Sequence, residues 1–226
     1  MQTKYKILIS STVAILLGLT CFLIWWFGSH RRDSNNYQPP IFEVPTQEHI
    51  HQMITDQHLD EGITVSIKIP KVVYLTYHDI DSIPSSVLDN FEKFCKGYRI
   101  EIHGDQSCED FLYNYYGANA MQLFRQIKPG PHKADFWRYC ILYAKGGYYF
   151  DIKTNLKDHI DSIFKPTDAK EWFSVTCDSN YPGCIYNGII VTPPRNPVLW
   201  DALINFYKNT NVSYLTHVHY LFRLIK

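Results

Sequence analysis

The chain has 226 residues, 46% hydrophobic and 15% aromatic, the make-up of one well-filled core rather than of a disordered or low-complexity segment. Lysine plus arginine and aspartate plus glutamate both number 22, so no basic field invites nucleic acid and no acidic excess suggests a basic partner. Six cysteines without C-x-x-C spacing argue against a zinc site, and the usual signs of Walker, dinucleotide, zinc-protease and hydrolase-fold chemistry are missing.

Residues 1–6 form a short tail. Ile7–Gly28 follows with no ionisable side chain except Cys21, and its 22 residues as a helix would cover about 33 Å, enough for a bilayer core. Trp25 and Trp26 suit an interfacial belt. A cleaved signal peptide is the competing reading, but the run is long and its Phe22–Phe27 end offers no small-x-small cleavage site. One N-terminal transmembrane anchor over residues 7–28 is the expectation. Lys4 and Lys6 nearly balance Arg31 and Arg32 across it, and the sequon Asn211-Val212-Ser213 leans toward a lumenal C-terminal part.

Residues 29–67 are polar and irregular, with Asn35-Asn36 and Pro39-Pro40, and read as a stem in which Gln47–Leu59 is a helix. The folded domain is expected over residues 68–226. Pro70 precedes a buried strand at Val72–Tyr77, a helix follows over Ser85–Cys95, and Tyr98–His103 is the next strand. Helices are expected at Cys108–Tyr116 and Ala118–Ile127, strands at Phe173–Thr176 and Ile185–Thr192, and a helix at Pro197–Tyr207 opened by Asn196 and Pro197. Strands alternating with helices imply an α/β sheet. Two cysteine pairings stay open, Cys177 with Cys184 and Cys95 with Cys108, leaving Cys140 as a plain apolar residue.

The densest chemistry lies between His132 and Lys153. Phe136–Ala144 is apolar or aromatic except for Arg138, the pattern of a helix buried on nearly all sides. Asp135 and Arg138, three apart, share one helical face. Gly146-Gly147 stops the helix, and a short strand Tyr148–Ile152 delivers Asp151 and Lys153, which alternation would point the same way. A carboxylate and an arginine near the carboxyl end of a buried strand are placed to hold a polar ligand; the alternative is an ion pair that only neutralises two buried charges.

The run KADFWRYCILYAKGGYYFDIK resembles the central motif of the DXD-type glycosyltransferases of family 32, which reads KAD, RY, then GG-x-Y-x-D-x-D. Ile69-Pro70-Lys71-Val72-Val73 resembles the family's opening strand, and Asn187-Gly188-Ile189-Ile190 with Pro193, Pro194 and Pro197 its later strand and turn. The resemblance implies a GT-A fold, a single Rossmann-like α/β domain, here preceded by one transmembrane helix. It implies retaining transfer of a hexose from a UDP- or GDP-sugar to a glycan, lipid or glycoprotein acceptor, by a single-pass type II protein of the Golgi or another secretory membrane. By the same resemblance Asp135, Arg138 and Asp151 are the catalytic and donor-binding residues, Asp151 is also the metal residue, and Tyr74, Lys153 and Asn187 complete the donor site, Tyr74 by stacking on the base.

Lys153 stands where the family places the second Asp of its motif, and a lysine cannot ligate the Mn²⁺ or Mg²⁺ that the motif implies. Three readings follow: a metal-independent enzyme, a metal held by Asp151 with ligands from elsewhere, or a catalytically inactive nucleotide- or carbohydrate-binding protein. A fourth is that Lys153 only points to solvent. His217 and His219 are weak candidates for a late metal ligand, and Tyr214–Lys226 shows no obvious closing element.

Overall fold

A computed structural model describes residues 41–62, 68–128, 130–164, 174–177, 185–209 and 215–225. The proposed anchor at 7–28 and the sequon at Asn211 lie outside these. Among the described residues no helix is long and apolar enough to cross a membrane.

The chain divides into two compact units, Met1–Ile41 and Phe42–Lys226, and the second holds every described helix and strand. Its order is α1 (Gln47–Asp60), β1 (Val72–Thr76), a 3-10 turn (Ile80–Ser82), α2 (Ser85–Phe94), β2 (Arg99–His103), α3 (Asp105–Gln126), α4 (Gly130–Lys145), β3 (Gly147–Phe150), α5 (Ile160–Ile163), β4 (Ser174–Cys177), β5 (Ile185–Thr192), α6 (Pro197–Lys208) and α7 (Thr216–Ile225). The strands form one mixed sheet of order β2-β1-β3-β5-β4, parallel across β2, β1 and β3 and antiparallel from β3 to β5 to β4.

Alternation along β1 and β3 divides the core into two layers. Tyr74 and Tyr149 face a large cluster with Ile50, Leu112, Trp137, Leu203 and Leu221, drawn from α1, α3, α4, α6 and α7. Val73, Leu75, Tyr148 and Phe150 face a smaller cluster with Phe91 of α2 and Ile160 of α5. The result is a three-layer α/β/α sandwich, and α4 is its central helix, with Phe136–Ala144 all buried.

Several expectations change. The helix inside the supposed stem exists, but Phe42, Ile50 and Ile54 are buried, so the compact unit starts at Phe42 rather than at residue 68. The two helices expected after β2 are one element broken at Gly117, where φ is 79°. Cys95 and Cys108 are free thiols in different core clusters, so that pairing is not made; Cys177 and Cys184 lie outside the described side chains. The tail without an obvious closing element contains α7, which packs with Leu221 fully buried.

Gly146 ends α4 with φ 66°, its N–H donating to the Leu142 carbonyl at 2.9 Å, and the chain enters β3 within one residue. β3 closes at Phe150, before Asp151. The Thr154 N–H donates to the Asp151 carbonyl at 2.8 Å, making Asp151–Thr154 a turn, so the strand alternation expected to align Asp151 with Lys153 does not operate.

Candidate functional site

The chain leaves β1 to one side for β2 and to the other for β3, so the carboxyl ends of β1 and β3 flank a topological switch point, where open α/β sheets form their ligand crevices. Asp151 follows β3 at this point. Its N–H donates to the Gly188 carbonyl of β5 at 2.7 Å, fixing the backbone. Thr76, the last residue of β1, meets the Tyr149 hydroxyl at 3.0 Å, and that hydroxyl donates to Asp151 Oδ1 at 3.2 Å.

Arg138 joins the elements. Its Nη2 lies 3.1 Å from Asp135 Oδ1 and 3.1 Å from Asp151 Oδ1, its Nη1 donates to the Asn187 carbonyl at 2.6 Å, and its Nε donates to the Ala134 carbonyl at 3.1 Å. Its guanidinium also stacks over the Tyr149 ring, 4.3 Å from the centroid. Asn187 Nδ2 completes the network, donating to Asp135 Oδ1 at 2.9 Å and to the Tyr139 hydroxyl at 3.2 Å.

Burial sorts these groups. The Asp135 and Arg138 side chains are 6% and 3% exposed, whereas that of Asp151 is 35% exposed. Burial pushes the Asp135 carboxyl above the usual carboxylate range, with Arg138 and Asn187 pulling it back and the nearby Asp151 adding to the rise. Burial also works against the Arg138 charge, but Tyr149, Asp151 and Asp135 together hold it more firmly protonated than an ordinary guanidinium. The Tyr149 phenol, raised by its burial, stays neutral and keeps its O–H for Asp151.

The structure therefore brings Asp135, Arg138, Asp151 and Asn187 into one network and sets two expected residues apart. Lys153 is exposed on the turn and has no ion-pair partner among the described residues. Tyr74 is 1% exposed and packs edge-on against Trp137 and beside His103, inside the core rather than toward a ligand. His217 is buried too, stacked on Phe206 and bonded to Asn205. Tyr139, Tyr149, Thr76 and Gly188 belong to the network too; Tyr139 and Tyr149 stand in the RY and GG-x-Y-x-D stretches and Gly188 in the Asn187–Ile190 run, whereas Thr76 carried no sequence signal.

Residues 88–170 match the profile of a glycosyltransferase sugar-binding region containing a DXD motif. The initiation-specific alpha-1,6-mannosyltransferase of Saccharomyces cerevisiae is 34% identical over 210 residues, spanning 76% of this chain and 42% of that protein. Residues 88–170 thus carry the sugar-binding region of the DXD-type glycosyltransferases. The uncharacterized glycosyltransferase L373 of Acanthamoeba polyphaga mimivirus is 29% identical over 151 residues, covering 63% of this chain and 57% of the viral protein. The chain thus spans about half the length of these curated relatives. A solved structure titled PaToxG Glycosyltransferase superposes with a TM-score of 0.50 at 14% identity, covering 80% of this chain and 79% of that one, a likeness of fold.

Here the motif reads Asp151-Ile152-Lys153, and the donor set fits a divalent cation poorly. Asp151 Oδ1 is already taken by Arg138 and Tyr149, the second motif position holds an ammonium, and no group of three or more His, Cys, Asp or Glu converges among the described residues.

Proposed function

We propose that this chain is a glycosyltransferase that moves a hexose, with retention of anomeric configuration, from a UDP- or GDP-sugar to a glycan, lipid or glycoprotein acceptor, anchored as a single-pass type II protein in a secretory-pathway membrane. The observation that carries the reading is the Asp135–Arg138–Asp151–Asn187 network at the switch point of a chain with a DXD-type sugar-binding region. Relatives named initiation-specific alpha-1,6-mannosyltransferases, in Saccharomyces cerevisiae and in Candida albicans, support a sugar-transfer reaction.

The residues divide the work. Asp135, Arg138 and Asn187 have spent most of their hydrogen-bonding capacity on one another and act as positioning residues. Asp151 keeps Oδ2 for the donor sugar. Transfer breaks the bond between the anomeric carbon and the diphosphate oxygen and forms one to the acceptor oxygen, while the acceptor proton passes to the departing diphosphate.

Charge at the departing group has to be offset. Two carboxylates and one guanidinium leave the network net negative, and a unit like-charge pair about 4 Å apart costs roughly 4 kcal/mol at an effective dielectric of about 20. In our reading Lys153, on the turn beside Asp151, supplies the positive charge as a point cation and no divalent ion is needed. The test is release of nucleoside diphosphate by the full chain from a panel of UDP- and GDP-hexoses, with and without EDTA. Turnover persisting in EDTA and falling at least about tenfold in Lys153→Ala is expected, the equivalent of about 1.4 kcal/mol. Loss of turnover in EDTA with recovery in Mn²⁺ overturns the metal-independent reading. Nucleotide-sugar binding without turnover by any donor would favour the binding-only alternative, which the substitution at Lys153 motivates.

A further inference from the structure

The rim of this site carries an aromatic side chain that the motif does not assign and that lies outside the matched region at 88–170. Tyr186 is 38% exposed, although its neighbours Ile185 and Asn187 on β5 are buried. Two positions along the strand, Gly188 explains how it meets the site. The point a Cβ of residue 188 would occupy lies 2.5 Å from Asp151 Oδ2, 2.7 Å from Tyr186 Cζ and 2.8 Å from Tyr186 Oη. The half-exposed carboxylate and the phenol edge thus close over the same bare Cα, and any side chain at 188 would wedge them apart.

A pyranose presents hydroxyls around its edge and C–H groups on its faces. A carboxylate oxygen beside an exposed aromatic ring matches both features, one group accepting from a hydroxyl and the other covering an apolar face. Resting on the function proposed above, we propose that Tyr186 is the platform on which the donor hexose lies, its C–H face on the phenol ring while Asp151 Oδ2 accepts from a ring hydroxyl. Arg138 and Tyr149 hold Asp151 Oδ1 on the α4 side, which turns Oδ2 toward this platform. Gly188 is then a positioning residue, and Tyr186 a determinant of which hexose is accepted.

The test separates sugar recognition from nucleotide recognition. The full chain is titrated calorimetrically with GDP-mannose against GDP, and with UDP-glucose against UDP, as wild type, Tyr186→Ala, Tyr186→Phe and Asp151→Asn. The inference expects at least one nucleotide sugar to bind wild type more tightly than its nucleoside diphosphate. Tyr186→Ala should lose about tenfold of that excess, a change of about 1.4 kcal/mol, with affinity for the bare diphosphate unchanged, and Tyr186→Phe should keep it. An excess that Asp151→Asn abolishes but Tyr186→Ala leaves within about twofold overturns the platform and spares the proposed function. Wild type that binds none of the four compounds overturns both.

Discussion

Arg138 carries a full charge at 3% side-chain exposure, and it stays charged because two carboxylates and the Tyr149 ring surround it. Removing one partner of such a group strands the other in the interior. Arg138→Met should therefore destabilise the fold by roughly 3–5 kcal/mol, because Asp135 is left buried without its counter-ion. Asp151→Asn is the contrasting case, since its side chain is 35% exposed and its amide can still accept from Arg138 and Tyr149. Its stability should stay within about 1 kcal/mol of wild type, while donor-sugar binding is lost. Urea unfolding midpoints set beside nucleotide-sugar affinities check the pair. If Arg138→Met proved as stable as Asp151→Asn, Arg138 would not be the strut of the network.

Helix α1 shows what the sequence could and could not convey at the level of elements. Its helical stretch was legible from Gln47 to Leu59, one residue short of the observed end, and β1, α2, β5 and α6 were legible to within a residue or so, because local periodicity and caps encode them. What α1 packs against was not legible, since Ile50 and Ile54 recur at helical spacing within a polar stretch and α3, on which α1 packs, is distant in sequence. For the same reason Asp135, Arg138 and Asp151 could be singled out by their charge in apolar surroundings, whereas Gly188 and Tyr186 gain meaning only when β5 pairs beside β3. The end of β3 at Phe150 was missed because the Asp151–Thr154 turn leaves no Gly or Pro to mark it. Ile54→Ala should cost roughly 2–4 kcal/mol, measured by chemical denaturation. A loose stem helix would give a change near zero, so a value below about 0.5 kcal/mol would remove α1 from the core.

Across the whole molecule, α7 closes the large core layer, and its His217 ties that closure to pH. The ring stacks on Phe206 of α6, lies edge-on to His132 of α4, and has Nδ1 2.9 Å from Asn205 Nδ2. Asn209 Nδ2 donates to Asn205 Oδ1 at 2.7 Å, which turns the Asn205 amide nitrogen toward His217, so the arrangement suits a neutral ring accepting at Nδ1. Burial, with His132 adding to it, lowers the His217 pKa to about 4. The unfolded chain titrates this residue near about 6.5, so between these values the unfolded state binds the extra proton and acid favours unfolding. Stability from this group is present above about pH 6.5 and lost as the pH falls toward about 4, a change of roughly 3 kcal/mol at about 1.4 kcal/mol per pH unit. His217→Gln keeps an acceptor for Asn205 and removes the titration. Between pH 7 and pH 4.5 wild type should therefore lose roughly 2–3 kcal/mol more unfolding free energy than the variant. Urea unfolding at the two pH values decides it: parallel losses in the two proteins would mean that the junction of α4, α6 and α7 tolerates a charged His217, and that the acid sensitivity of the fold arises elsewhere.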